Sequence, residues 1–147
     1  MFFTGSHEVT LDPKHRCSIP APVRAGLDPE TDGTDFYVVP GRQDAMFATL
    51  YLYPSKYFRR YAEERYRAQQ PGRAQEDFEL VYFAHATLVE VDKQGRILLP
   101  QWAVDRAGFE KHLMLSGARD RLVLWKREDY KKYMEHFYGK QADLNQE

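Results

Sequence analysis

Two short segments of the chain carry the same charged residues at the same spacing. They read LDPKHRCSIP near the N-terminus and VDKQGRILLP 80 positions later. Asp12 and Asp92 can accept backbone N–H groups at the opening of a turn. Each is followed four positions later by an arginine, Arg16 or Arg96, whose guanidinium a nearby carboxylate can orient. One such pair has little meaning alone, but two at matching places indicate a loop motif, Asp-x-x-x-Arg, that the chain uses twice. We call this motif the device.

Two interpretations of the device remain open, together with a mixture of them. In the first, Arg16 and Arg96 form internal ion pairs that lock two hairpins together, and the loops bind nothing. In the second, the loops protrude and meet phosphates or a guanine edge. The residues predicted to contact DNA are Lys14, His15, Arg16, Lys93 and Arg96, with Asp12 and Asp92 orienting the arginines.

The elements on either side of the device also occur twice in the same order. In each half a β-hairpin is followed by a short helix that starts at proline and ends at glycine, then by two strands and a helix. In the first half we predict strands in HEVTL and CSI, a helix over 20–27, and strands in DFYVVPG and ATLYLYP around a turn at Gly41–Asp44. In the second half we predict strands in ATLVEVD and RILL, a helix over 100–108, strands within 111–125 around Gly117–Asp120, and a helix over 126–139.

Two further helices, over 55–70 and 73–86, are predicted between the halves because their apolar residues recur at helical spacing. The organisation is therefore a single domain over 1–147, of the α+β class. Its parts are a first repeat over 1–53, linking helices over 54–85, a second repeat with its closing helix over 86–138, and a flexible tail over 139–147.

The composition fits one globular domain and does not by itself indicate nucleic-acid binding. The chain has 147 residues, of which 43% are hydrophobic, and its 21 Lys and Arg nearly cancel its 22 Asp and Glu. A DNA-binding surface would therefore need positive charge gathered on one face and repeated by a symmetric oligomer. A single cysteine fits a reducing cytosol, and neither a signal peptide nor a long apolar run is evident, so we expect a cytoplasmic protein without a membrane segment.

Residues that could suggest an enzyme are better explained by structure. Cys17 lies two positions after His15, as a thiol beside a base would, but a packed structural thiol is the favoured interpretation. The five histidines form no metal-ligand spacing with Cys17, and His85 is expected to be a buried or junction histidine with its hydrogen bond satisfied. We predict no enzyme, no metal and no cofactor.

The chain resembles the MraZ family, which is related to the AbrB-type swapped-hairpin transcription factors. The resemblance is carried by the doubled motif, by the start MFFTG and by the HAT before the second copy. The resemblance covers roughly residues 1 to 138. It implies a β-barrel of hairpins interleaved from both repeats, flanked by helices and assembled into a closed ring such as an octamer. It also implies a nucleoid-associated bacterial regulator that binds repeats in the promoter of the division and cell-wall gene cluster.

The sequence departs from the family pattern at two places. His15 stands where the family usually has glycine before the arginine, so we expect the first loop to change shape or to bind more weakly. The segment RQDAMFATLYLY is longer than its counterpart ARDRLVLW, so we expect one edge to be reshaped. The rival function is a protein–protein module, such as an adaptor or an antitoxin-like subunit, in which the hairpins serve only oligomerisation.

Overall fold

The computed structural model describes residues 1–67 and 72–145, with side chains as far as 139. This part of the chain is α+β, as predicted, and comprises five helices and two antiparallel sheets. The first half contains β1 (Ser6–Thr10), β2 (Arg16–Ser18), α1 (Ala21–Ala25), β3 (Phe36–Gln43) and β4 (Ala48–Pro54). The linking helices are α2 (Ser55–Arg67) and α3 (Arg73–His85). The second half contains β5 (Thr87–Val89), β6 (Arg96–Leu98), α4 (Gln101–Ala107), β7 (His112–Gly117), β8 (Leu122–Lys126) and α5 (Arg127–Asn145).

The strands pair mostly between the halves. The six-stranded sheet has the order β1-β7-β8-β4-β3-β5, so the first strand of each half lies beside a strand of the other half. β4 and β8, the last strands of the two halves, pair at the centre with Leu50 opposite Leu124. Neither half could complete this sheet alone, because each supplies the edge strand of the other.

β2 and β6 form a separate two-stranded ribbon, again with one strand from each half. A single bridge between Leu11 and Cys17 connects the ribbon to the segment that follows β1. In the part of the chain that the structure describes, the strands form two open sheets and not one closed barrel. The swapped-hairpin barrel therefore stays a prediction.

The central strands alternate between two faces, as the period of a strand requires. Leu50 and Leu52 face the main core while Tyr53 faces a second cluster on the opposite side. In the same way Leu124 faces the main core and Trp125 packs near α5. The ribbon, α1 and α4 thus cover one face of the large sheet, and α2 and α5 cover the other.

The short helices end where the sequence predicts. α1 follows Pro20 and α4 follows Pro100, while Gly26 and Gly108 are their C-caps. Gly108 has φ +63°, in the left-handed region that favours glycine.

Two boundaries differ clearly from the sequence predictions, and the longer insert has a further effect on β3. The β3–β4 turn lies at Asp44–Phe47, where the Asp44 N–H donates to the Phe47 carbonyl, and Gly41 belongs to β3. The register shifts between Pro40 and Gln43, so the longer insert forms a bulge. α5 continues to Asn145, beyond the predicted end at 139, so Gly139 lies inside the helix. The predicted end of α2 at 68–70 lies outside the described residues, as do positions 146–147 of the tail.

Candidate nucleic-acid interface

The first Asp–Arg loop is organised by the carboxylate of Asp12. Oδ1 accepts the backbone N–H groups of Lys14 at 2.9 Å and Arg16 at 2.8 Å. Oδ2 accepts the Nε–H of Arg16 at 2.8 Å. The backbone closes the same loop, since Asp12 N donates to the Arg16 carbonyl and His15 N donates to the Asp12 carbonyl. One side chain therefore both folds the loop and orients its arginine.

The second loop repeats every one of these contacts. Asp92 Oδ1 accepts the N–H groups of Gln94 at 2.8 Å and Arg96 at 2.9 Å, and Oδ2 accepts Arg96 Nε–H at 3.2 Å. Asp92 N donates to the Arg96 carbonyl and Gly95 N donates to the Asp92 carbonyl. The predicted role of both aspartates as orienting residues has a direct geometric basis.

His15 keeps the shape of the first loop, so the expectation of an altered shape was wrong. His15 has φ +67° and Gly95 has φ +79°, both in the left-handed region. That conformation is strained for a residue with a Cβ but accessible to histidine. The hydrogen bonds to Asp12 hold it there. Whether His15 weakens the contact of this loop with a ligand remains a prediction.

The ribbon brings the two arginines to one face. Arg16 lies opposite Leu98, and Arg96 lies opposite Ser18. Because cross-strand partners and alternate residues share a face, all four side chains lie on the same side. The central pair, Cys17 and Ile97, points the other way and is buried at 2% and 1% exposure. The exposed face of the ribbon therefore carries both arginines over an apolar foundation.

The ion pairs remain within each loop. Arg16 pairs with Asp12, and Arg96 pairs with Asp92. Across the described ranges 1–67 and 72–139, neither guanidinium makes a second hydrogen bond, and the two arginine side chains are 34% and 30% exposed. The hairpins are joined by backbone groups instead, since Ile19 N donates to the Gly95 carbonyl and Leu99 N donates to the His15 carbonyl. The arginines are thus internal ion-pair partners, as the first interpretation predicted, but their ion pairs do not join the two hairpins. Whether the loops also bind a ligand stays a prediction.

The aspartates are held in their charged form. The backbone N–H of Arg16 is the main cause that lowers the pKa of Asp12, and the backbone N–H of Arg96 does the same for Asp92. Since a carboxylate that accepts N–H groups is stabilised as an anion, both loops keep their ion pairs at neutral pH.

Comparison with known proteins gives the same family as the motif. Residues 82–146 match the family model described as "MraZ protein, putative antitoxin-like". A protein named transcriptional regulator MraZ from Heliobacterium modesticaldum is 35% identical over 134 residues, which cover 90% of this chain and 87% of that protein.

The chain belongs to the MraZ family.

Two further MraZ family members extend the match. The transcriptional regulator MraZ of Clostridium beijerinckii is 32% identical over 133 residues, 90% of this chain and 87% of that protein. That of Frankia alni is 30% identical over 145 residues, 99% of this chain and 95% of that protein. These relatives carry the name of a regulator, not of an enzyme.

Three residues beside the arginines or the loops were missed by the sequence analysis. Ser18 and Leu98 share the exposed ribbon face with the arginines, and Leu98 is 58% exposed. Arg24, on α1, lies against Gly95 in the second loop. The alternation of the short strands could have indicated Ser18 and Leu98. Nothing local indicates Arg24, because its contact joins the two halves.

The predicted lysines are exposed and differ in position within their loops. Lys14 follows Pro13, whereas Lys93 follows Asp92 directly and Gln94 occupies the place equivalent to Lys14. Both lysines can add positive charge beside the arginines. Lys14 lies two positions before its arginine, whereas Lys93 lies three positions before its own.

The other candidate residues have structural roles. Burial raises the pKa of the Cys17 thiol to about 12, so it stays protonated and is a poor nucleophile. His85 is a junction histidine whose Nδ1 is 2.7 Å from the Val81 carbonyl and whose ring meets Trp102 edge-on. The described residues contain no group of three His, Cys, Asp or Glu placed to hold a metal ion.

None of the helices in the described part of the chain combines the length and the hydropathy needed to cross a bilayer.

Proposed function

We propose that this MraZ family member is a sequence-specific DNA-binding transcriptional regulator that acts through its two Asp–Arg loops. One observation carries the proposal: the ribbon holds Arg16 and Arg96 on a single exposed face, each oriented by its own aspartate. Lys14, His15 and Lys93 lie in the same loops, and Asp12 and Asp92 are the orienting residues. The names of the relatives agree with this function.

The chemistry of the face suits the DNA backbone and base edges. Guanidinium groups donate to phosphates and can bind guanine through two parallel hydrogen bonds. Each arginine uses Nε for its aspartate, which leaves the two terminal nitrogens to face a ligand. The aspartates reduce the net positive charge of the face. They also fix the geometry of the arginine side chains before binding, which reduces the entropy lost on association.

A single subunit offers few such contacts, so affinity must come from repetition. We propose a swapped-hairpin barrel that assembles into a ring homo-oligomer, such as an octamer, and binds repeated promoter sites. Linked subunits raise the effective concentration of each further contact and can multiply a weak affinity many times. The proposed target is the promoter of the division and cell-wall gene cluster, and the proposed location is the cytoplasm, at the nucleoid.

The proposed organisation follows the sequence repeat. We propose a single domain with a first repeat over 1–53, linking helices over 54–85 and a second repeat with its closing helix over 86–138. The segment 139–147, most of which continues α5, is proposed to be a tail that is flexible relative to the domain. No part of this proposal requires a cofactor.

The test is a salt titration with the full chain and duplex DNA from upstream of its own gene cluster. For DNA binding, the logarithm of affinity should fall linearly with the logarithm of salt concentration. Arg16→Ala and Arg96→Ala should each flatten that slope by about one charge for each subunit engaged, and weaken binding about tenfold. Arg73→Ala, which removes an exposed arginine from α3, is the matched control and should change neither quantity.

Two results would contradict the proposal. Salt-independent association without any DNA shift would favour the protein–protein module. Loss of the folded state in both arginine variants, measured by thermal melting, would mean that the ion pairs serve structure alone.

A further inference from the structure

Arg24 reaches from one half of the molecule to the loop of the other. Its Nε donates to the Ile19 carbonyl at 3.0 Å, and the N–H of the same Ile19 donates to the Gly95 carbonyl at 2.8 Å. The peptide groups of Ile19 therefore tie α1 to the second Asp–Arg loop. Arg24 itself is exposed.

The guanidinium of Arg24 occupies the space beside Gly95. A Cβ on Gly95 would lie 2.8 Å from Cζ, 2.8 Å from Nη2 and 2.9 Å from Nε of Arg24. Three nearly equal distances mean that Gly95 faces the plane of the guanidinium and not one of its corners. Glycine at this position thus serves two purposes, because it supplies the positive φ of the loop and leaves room for Arg24.

The terminal nitrogens of Arg24 have no carboxylate to neutralise them. Within residues 1–67 and 72–139, Arg24 forms no ion pair, and its described hydrogen bond is made by Nε. Three cationic side chains therefore lie in or beside the second loop, namely Arg24, Lys93 and Arg96, and Arg96 is the one paired with Asp92 in the described residues.

In the other half, the arginine equivalent to Arg24 does not lie beside the first loop, although Lys111 lines a cavity with Asp12 and His15 there. The sequence Arg-Ala-Gly occurs at the end of both short helices, so Arg106 is the counterpart of Arg24. Arg106 instead donates to the carbonyls of Thr49 at 3.1 Å and Gly41 at 3.3 Å. It ties α4 to the large sheet and is not available to a ligand at the first loop.

We propose that Arg24 is a third arginine of the DNA-binding surface, that it contacts a backbone phosphate beside the second loop, and that the two loops consequently bind DNA unequally. The inference rests on the proposed DNA-binding function. A phosphate is the ligand because Arg24 presents terminal N–H groups beside the loop backbone and is not among the side chains on the ribbon face. Such a contact strengthens binding to every sequence alike.

The test compares Arg24→Ala, Arg24→Lys and the Arg73→Ala control in the full chain. The probes are duplex DNA from upstream of its own gene cluster and an unrelated duplex of equal length. Arg24→Ala should weaken binding to both duplexes by a similar factor, about three- to tenfold, and reduce the salt slope by about one per subunit engaged. Arg24→Lys should restore most of the slope because it restores the charge. Melting temperatures measured beside each titration show that all variants are folded.

The outcomes separate the two proposals. An unchanged slope for Arg24→Ala, with Arg16→Ala and Arg96→Ala both weakened, overturns the role of Arg24 and leaves the DNA-binding function standing. Weaker binding to the cognate duplex alone overturns the assignment of a phosphate contact. Absence of salt-dependent binding by the unmodified protein overturns both proposals. If Arg24→Ala fails to fold, a normal slope in folded Arg24→Gln also overturns the role of Arg24.

Discussion

The two Asp–Arg loops have the same hydrogen bonds but different surroundings. Both aspartates accept two backbone N–H groups and one Nε–H, although the residues between aspartate and arginine differ at every position. The loop shape thus depends on Asp, on Arg and on a left-handed residue before Arg. The surroundings of the loops also differ, because Arg24 packs on the second copy alone.

This comparison separates the part of each loop that is built locally from the part supplied by the other half. A local motif can be duplicated and keep its geometry, since its bonds span only a few residues. Its neighbours diverge because they come from elements whose positions depend on the whole sheet. The loops can therefore be equal in structure and unequal in binding.

The largest expected difference between the copies lies on the buried face of the ribbon. Ile97→Ala should cost about 2–5 kcal/mol in the free energy of unfolding, because it opens a cavity in a fully packed site. Cys17→Ala, at the equivalent place in the other copy, removes one non-hydrogen atom and should cost about 1 kcal/mol. Chemical denaturation of both variants measures the two losses. Equal losses would contradict the view that Ile97 contributes more of the apolar foundation.

A smaller difference is expected at the left-handed positions. Gly95→Ala should cost about 1–2 kcal/mol, because alanine is strained at positive φ and its Cβ would displace Arg24. His15→Gly should instead stabilise the chain by up to about 1 kcal/mol, since relief of the same strain outweighs the entropy of glycine.

The control for this pair is Gly26→Ala. Gly26 has φ −80°, and a Cβ there would make only ordinary contacts. The free energy of unfolding of Gly26→Ala should therefore hardly differ from that of the unmodified chain. Denaturant midpoints compare the three variants. A stabilising Gly95→Ala would mean that the second loop does not need its left-handed conformation.

The smallest expected effect is in the acid titration of the loops. The folded pKa values of Asp12 and Asp92 are lower than the ordinary value of 3.8. Each carboxylate therefore contributes stability that is fully present above pH 3.8 and is lost as the pH falls through the folded pKa. NMR of the carboxyl carbons should find both midpoints below 3.8. A midpoint above that value in one loop would show that its hydrogen bonds are weaker in solution.

The elements and the loop chemistry could be predicted from the sequence because their signals are local. The Pro-to-Gly helices, the alternating strands and the doubled Asp–Arg spacing each depend on residues a few positions apart. The β3–β4 turn was misplaced because Gly41 is a turn residue by type but a bulge residue in the sheet. The exact pairing of β3 decides between those roles, and it depends on the strand opposite.

The sequence by itself determined two loops with the same hydrogen bonds, since the aspartate, the arginine and a left-handed residue directly before the arginine are enough to close such a turn. Only the tertiary structure decided that the loops share one exposed face and that Arg24 serves the second of them. Those arrangements depend on β2 pairing with β6 and on α1 packing beside the other half. Contacts between residues some 70 to 80 positions apart in the chain arise from the packing of the whole molecule, which no short pattern encodes.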